Sequence, residues 1–180
     1  MRITRQDSIG LVIDIQERLL PHIFEYEALL KRTNVLIQGL KILDIPLKIT
    51  EQYPKGLGPT VDSISTLISD FSPNEKMTFS CCDSSEFARE LEKSSRKNII
   101  ICGIEAHVCV LQTCIDLLQT GYQPVVIADA ISSRNNDDKK IAIHRMRQEG
   151  AIISTTESIL FELVRISGTS EFKEISRLVK

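Results

Sequence analysis

The chain has 180 residues, 42% of them hydrophobic and 26% charged, and its formal net charge at pH 7 is −2. This length and composition are ordinary for one globular domain with a substantial core, which we place at residues 1–180. The near-neutral charge balance gives no reason to expect nucleic acid or an anionic membrane as a partner. No apolar run approaches the roughly 18 residues of a membrane span, and residues 1–7 lack the apolar core of a signal peptide.

Six apolar runs of strand length recur along the chain, and they are rich in Val and Ile rather than alternating with polar residues. Continuous runs of this kind are typical of parallel strands that are buried on both faces. The predicted strands are residues 8–15, 46–50, 76–80, 98–104, 124–130 and 151–155.

Patterns with helical spacing separate these strands. The predicted helices are residues 29–40, 84–97, 111–118, 137–148 and 158–166. Strands that alternate with helices predict an α/β fold, namely a three-layer α/β/α sandwich around a central, mostly parallel, six-stranded, Rossmann-like sheet. In such sheets ligands bind at the carboxyl ends of the strands.

The segment 98–110 carries the strongest functional signal. An apolar strand meets Gly103, turns, and opens a helix with Cys109 in its first turn. A thiol there lies beside free backbone N–H groups and the positive end of the helix dipole, which predicts a lowered pKa and a nucleophilic thiolate. A buried cysteine in a helix is more often a packing residue, but this position favours catalysis, since the same amides are suited to stabilise an oxyanion.

Asp14 ends the first predicted strand, where an unpaired carboxylate would be costly. It is either a turn residue or, near a thiol, a general base that takes the thiol proton and later activates water. A lysine near both groups would favour their ionised forms. Spacing alone does not choose among Lys48, Lys55 and Lys76.

The five cysteines are odd in number and show no CxxC spacing. We therefore expect reduced thiols and a cytoplasmic location. Cys102 and Cys114 are expected in the core, and Cys81 and Cys82 in the core or at its rim. A redox sensor would need a resolving cysteine near Cys109, whereas Cys114 faces elsewhere on the same helix.

Six segments, in order, resemble the isochorismatase-like superfamily of cysteine hydrolases, and most of all its isochorismatase domain-containing and YcaC-type members. The segments are residues 11–16, 50–58, 75–80, 103–110, 128–134 and 144–151. The likeness covers nearly the whole chain, from about Ile9 to Leu178. Each motif alone is weak, but six in this order are specific.

The resemblance implies an Asp–Lys–Cys triad, which falls here on Asp14, Lys76 and Cys109. It also implies a cis peptide bond between Ile104 and Glu105, and an oxyanion hole formed by the backbone N–H groups of Glu105 and Cys109. Further residues are candidates for the substrate pocket: Gln16, Tyr53, Phe79 and Ala106.

No metal and no cofactor are expected. Nicotinamidases of this superfamily hold a metal through an Asp and two His after the second strand, whereas residues 51–55 contain no histidine. A zinc site needs three or four suitable ligands. His107 is two residues from Cys109, so we expect it on another face of the helix, in a local polar contact or in the pocket wall.

The leading hypothesis is a hydrolase that cleaves an amide-like C–N bond of a small molecule through an acyl–cysteine intermediate, with the bond type taken from the resemblance alone. The alternative is a non-catalytic ligand-binding or assembly protein that has retained the pocket. The resemblance also implies a homo-oligomer.

Overall fold

The centre of the molecule is a sheet of six parallel strands, seen in a computed structural model that describes residues 2–180. The strands are β1 (Ser8–Ile13), β2 (Leu47–Gln52), β3 (Asn74–Lys76), β4 (Asn98–Gly103), β5 (Gln123–Ile131) and β6 (Ile152–Ser154). Their order in the sheet is β3-β2-β1-β4-β5-β6. Each neighbouring pair is parallel, which confirms the predicted α/β fold.

Eight α-helices flank the sheet within residues 2–180. They are α1 (Tyr26–Ile42), α2 (Pro54–Leu57), α3 (Asp62–Ser65), α4 (Ser85–Ser94), α5 (Leu111–Gln119), α6 (Asn136–Glu149), α7 (Thr156–Val164) and α8 (Ser170–Leu178). A π-helical turn, Ala106–Val110, runs directly into α5. Across this described part of the chain, no helix has both the length and the apolar character needed to cross a bilayer.

Two hydrophobic cores lie on opposite faces of the sheet, because successive strand side chains alternate between the faces. On β1, Ile9, Leu11 and Ile13 contribute to the core beneath α4, α5 and α6. Val12 contributes to the other core, which α1, α7 and α8 cover. This explains why the sequence of β1 is continuously apolar, since all six of its residues are buried.

The third strand differs from its prediction. It covers Asn74–Lys76, and residues 77–80 lie outside the sheet. The carbonyl groups of Thr78 and Phe79 accept hydrogen bonds from the Lys76 ammonium rather than from a neighbouring strand. Met77 and Phe79 are consequently exposed apolar residues. In the sequence, their hydrophobicity led to the prediction of a longer strand.

Gly103 allows the carboxyl ends of β1 and β4 to approach each other closely. Its φ is +131°, and a Cβ atom at this position would lie 2.2 Å from the carbonyl oxygen of Ile13. A side chain is therefore excluded by the neighbouring backbone. The approach brings the residue after β1, Asp14, next to the turn that carries Cys109.

Candidate active site

Three strands present the expected triad at the carboxyl edge of the sheet. Asp14 directly follows β1, Lys76 ends β3, and Cys109 lies in the π-helical turn after β4. The strand β2 lies between β1 and β3, so the Lys76 side chain reaches across the end of β2 to Asp14. The side chains of Lys76 and Asp14 are 1% and 0% exposed.

Asp14 and Lys76 form a buried ion pair, with 2.6 Å between the lysine Nζ and the carboxylate Oδ2. The ammonium also donates to the Gln52 Oε1 at 2.8 Å. Burial is the largest single influence and lowers the pKa of Lys76, but the negative charge of Asp14, with smaller contributions from its hydrogen bond and from Cys81 and Cys109, raises the pKa above its ordinary value. The lysine is therefore a permanent cation at neutral pH.

The other carboxylate oxygen of Asp14 is bound as well. Its Oδ1 accepts a hydrogen bond of 2.7 Å from the Thr50 hydroxyl, and the Asp14 backbone N–H donates to the Thr50 carbonyl at 3.2 Å. Asp14 itself has a φ of 52°, a left-handed conformation that aspartate tolerates better than most residues. The carboxylate thus has a fixed orientation at the strand end.

Cys109 as a whole residue is 7% exposed, and its thiol interacts with this carboxylate. Burial and then the charge of Asp14 raise its pKa to about 12, while Lys76 opposes them only in part. The expectation of a lowered pKa was therefore wrong, because burial and the facing carboxylate raise the pKa of this thiol. The resting thiol keeps its proton, with Asp14 positioned to accept it.

The peptide bond between Ile104 and Glu105 is cis. In the turn that follows, the N–H of Ala106 donates to the Ser132 carbonyl, and those of Val108 and Val110 donate to the Glu105 carbonyl. Among residues 2–180, neither Glu105 N–H nor Cys109 N–H donates to an acceptor outside this turn. These are the two amides that the resemblance assigns to an oxyanion hole.

The four candidate pocket residues occupy different environments. Gln16 is fully buried, and its side-chain amide bonds the backbone of Gln52 and Gly58 at 2.6 to 3.0 Å. It holds the loop after β2 in place, and contact of Gln16 with a substrate stays a prediction. Ala106 is also fully buried, whereas Tyr53 and Phe79 are 46% and 54% exposed at the rim.

Two cavities are lined in part by residues of the candidate site, Lys76 in one and Glu105 in the other, and neither is lined by Cys109 or Asp14. One, of about 350 Å³, is lined by Tyr53, Pro54, Lys55, Glu75, Lys76 and Met77. The other, of about 480 Å³, is lined by Leu19, His22, Ile23, Glu105 and Arg134. An ion pair of 2.7 Å joins the Arg134 Nε to the Glu105 Oε1 in this second cavity. Both cavities are large enough for a small organic ligand.

The remaining candidates have local roles. The Nδ1 of His107 lies 2.9 Å from the Ser133 Oγ, which is the local polar contact expected for it. In the described residues 2–180, no three or more His, Cys, Asp or Glu side chains gather where they would hold a metal ion.

Sequence reasoning missed Thr50, Gln52 and Cys81 as neighbours of the triad. Cys81 is fully buried, with its Sγ 3.8 Å from the Thr50 Oγ1. In the sequence, Thr50 and Gln52 were noted only as part of the segment 50–58 that resembles the family. Their proximity depends on the position of β2 between β1 and β3, and an inferred strand order was the one signal that would have found them.

This fold and site define an α/β protein whose carboxylate, ammonium and thiol converge at the carboxyl edge of the sheet. Such a combination is suited to nucleophilic catalysis. Residues 8–158 match the family model of the isochorismatase domain. The chain belongs to the isochorismatase family, and this membership supports the conclusion that it is a hydrolase.

The most similar proteins include two curated relatives and two solved structures. The secreted isochorismatase effector Isc1 of Phytophthora sojae is 40% identical, and the match covers 99% of this chain and 87% of the relative. Isochorismatase domain-containing protein 2 of Danio rerio is 38% identical, with coverages of 99% and 89%.

The structure described as MAR1 ribonuclease from Caenorhabditis elegans has a TM-score of 0.93 and 39% identity, covering 99% of this chain and 92% of the other. YcaC of Escherichia coli, described as an octameric hydrolase of unknown specificity, has a TM-score of 0.93 at 22% identity, with coverages of 99% and 90%. The YcaC likeness bears on the fold alone.

Proposed function

We propose that the chain is a cysteine hydrolase that cleaves an amide-like C–N bond of a small molecule through an acyl–cysteine intermediate. The observation that carries this proposal is the meeting of Cys109, Asp14 and Lys76 at the strand ends. A buried thiol that faces a buried carboxylate has a proton acceptor beside it, and the Lys76 ammonium orients that carboxylate from a distance of 2.6 Å.

In the proposed first step, Asp14 accepts the Cys109 proton as sulfur attacks the substrate carbonyl carbon. The N–H groups of Glu105 and Cys109 bind the oxyanion, a contribution worth about 3–4 kcal/mol for one such donor. The C–N bond then breaks, and Asp14 returns the proton to the leaving nitrogen. The enzyme is left as a thioester at Cys109.

In the second step, Asp14 takes a proton from water, and the resulting hydroxide attacks the thioester carbon. The C–S bond breaks, the acid product leaves, and sulfur recovers its proton from Asp14. Lys76 remains charged throughout, because its raised pKa excludes it as a proton donor near pH 7. The proposed mechanism uses no metal and no cofactor.

A second candidate is ribonuclease activity, favoured by the 39% identical structure described as a ribonuclease. The net charge of −2 supports a small-molecule substrate instead, since proteins that bind nucleic acid usually present an excess of positive charge. The third candidate is a protein that binds a ligand without turnover.

The experiment that separates these candidates is a panel of amides, ureides, thioesters and single-stranded RNA. The proposal predicts hydrolysis of a small carbonyl compound that Cys109→Ser and Asp14→Asn abolish. Cys82→Ser is the matched control, because Cys82 is a partly exposed cysteine outside the triad. RNA cleavage that persists in Cys109→Ser would contradict the proposal, and binding without turnover of any compound would favour the third candidate.

We also propose a homo-oligomer in a reducing compartment such as the cytoplasm. The solved YcaC structure is described as octameric, and all five cysteines are free, as is usual for reducing compartments. Light scattering coupled to gel filtration tests the assembly, with a monomeric mass as the contradicting result. Fractionation of the source cells tests the location.

A further inference from the structure

We propose that Thr50 is a positioning residue for Asp14: its hydroxyl fixes the carboxylate in the orientation in which it can take the proton of Cys109. This inference rests on the proposed acid–thiol chemistry. It assigns a role in that chemistry to the strand β2, which contributes no member of the triad.

Thr50 and Lys76 hold the carboxylate of Asp14 from two sides. The threonine Oγ1 lies 2.7 Å from Oδ1, and the lysine Nζ lies 2.6 Å from Oδ2. One donor on each oxygen fixes the plane of the carboxylate and leaves its remaining lone pairs for Cys109. Thr50 is 1% exposed and β-branched, so its hydroxyl has little freedom to turn away.

The direction of these hydrogen bonds follows from the groups involved. A carboxylate only accepts, so the single hydroxyl hydrogen of Thr50 points to Asp14. The threonine oxygen is left as an acceptor for the Cys81 thiol, 3.8 Å away. Burial raises the pKa of Cys81 to about 11, so this thiol keeps its hydrogen at neutral pH. A one-way chain therefore runs from Cys81 through Thr50 to Asp14.

A hydrogen bond to the charged form of an acid favours that form. The Thr50 hydroxyl therefore stabilises the carboxylate form of Asp14, which is the form that accepts a proton. A carboxyl group that already holds a proton cannot take one from Cys109. We therefore expect a variant without this donor to lose its thiol reactivity at a higher pH than the wild type.

The test is the pH dependence of Cys109 alkylation by iodoacetamide, followed by mass spectrometry of the peptide that contains Cys109. Thr50→Val keeps the shape but removes the donor, and we expect the acid limb of the profile to move to higher pH by about one unit, as for the loss of one hydrogen bond to a charged group. Thr50→Ser keeps the hydroxyl and should restore the wild-type limb.

A matched control exists in α1. The buried hydroxyl of Thr33 has no hydrogen-bond partner among the described residues, so Thr33→Val removes a buried hydroxyl without touching the site. Its profile should superimpose on that of the wild type. If Thr50→Val does not fold, Cys81→Ala removes the thiol that donates to Thr50 and should shift the limb in the same direction by a smaller amount.

The outcomes distinguish the two proposals. An unshifted limb in Thr50→Val, or in Cys81→Ala where only that variant folds, overturns the role of Thr50. If Asp14→Asn abolishes the acid limb of the pH profile in the same experiment, the coupling of Asp14 to Cys109 stands even where the role of Thr50 does not. A wild-type profile without any limb that depends on Asp14 would instead contradict the proposed function, and the role of Thr50 with it.

Discussion

Replacing Lys76 by methionine should cost a large part of the stability of the protein. The side chains of Lys76 and Asp14 are 1% and 0% exposed and lie 2.6 Å apart. Removing one partner of a buried pair leaves an uncompensated charge and costs about 3–5 kcal/mol. Because the Thr50 hydroxyl still solvates the carboxylate, we predict a loss near the lower end, about 3 kcal/mol at pH 7.

The pH of this measurement matters. The pKa of Lys76 is raised above its ordinary value of 10.5, so the charged lysine stabilises the fold fully below pH 10.5. This contribution is lost only as the pH rises through the higher value of the folded state. A difference between the wild type and Lys76→Met measured at pH 7 therefore contains the whole effect.

The assay is urea denaturation followed by far-UV circular dichroism. Lys140→Met is the matched control, since Lys140 pairs with Asp137 but the two side chains are 66% and 77% exposed. Its loss should stay below about 0.5 kcal/mol. The double variant Lys76→Met with Asp14→Asn should recover at least about 1 kcal/mol, because it removes the unpaired charge. A loss in Lys76→Met no larger than in Lys140→Met would refute the reasoning.

Three further predictions concern stability and are measured in the same assay. Gly103→Ala places a Cβ atom 2.2 Å from a backbone oxygen of β1 and should lower the free energy of unfolding by about 3 kcal/mol. The control Gly168→Ala, whose Cβ would meet no atom within 4 Å, should lower it by about 1 kcal/mol. Equal losses in the two variants would contradict the close approach of β1 and β4 at Gly103. Burial raises the pKa of Cys102 from 9.0 to about 12, so its neutral thiol stabilises the fold below pH 9 and this contribution is lost as the pH rises from 9 to 12. The wild type should therefore lose about 1.4 kcal/mol more than Cys102→Ala between pH 8 and pH 10, and parallel pH profiles would refute this. Arg134→Gln breaks an ion pair with Glu105 in which the arginine is 64% exposed, so its loss should stay below about 1 kcal/mol, and a larger loss would show that the pair is structural.

The fold was predictable where the sequence pattern has a single physical cause. Continuous Val and Ile runs arise because β1 and β4 are buried on both faces, and their assignment was correct to within two residues. The third strand was misplaced, because exposed Met77 and Phe79 are as hydrophobic as strand residues. The helix α8 was missed, because only Ile175 of its residues is buried.

The site was predictable only in part, because its chemistry depends on contacts between distant segments. The positions of Asp14 and Cys109 follow from strand ends, which the sequence marks. The role of Thr50 depends on which strand lies between β1 and β3, and no local pattern encodes that. The pKa of Cys109 was predicted in the wrong direction, because burial and the facing charge of Asp14 are properties of the packed structure.

The most direct test of the central claim is to look for an acyl group on Cys109. Wild-type protein and the Asp14→Asn and Cys109→Ser variants would be mixed with p-nitrophenyl acetate, an activated acyl donor, quenched in acid and analysed by mass spectrometry. We predict one acetyl group on Cys109 that forms and turns over in the wild type, forms far more slowly in Asp14→Asn because no carboxylate takes the thiol proton, and is absent in Cys109→Ser. Acetylation of another residue, no acetyl group on Cys109 of the wild type, or equally fast acetylation of the wild type and Asp14→Asn would contradict the account.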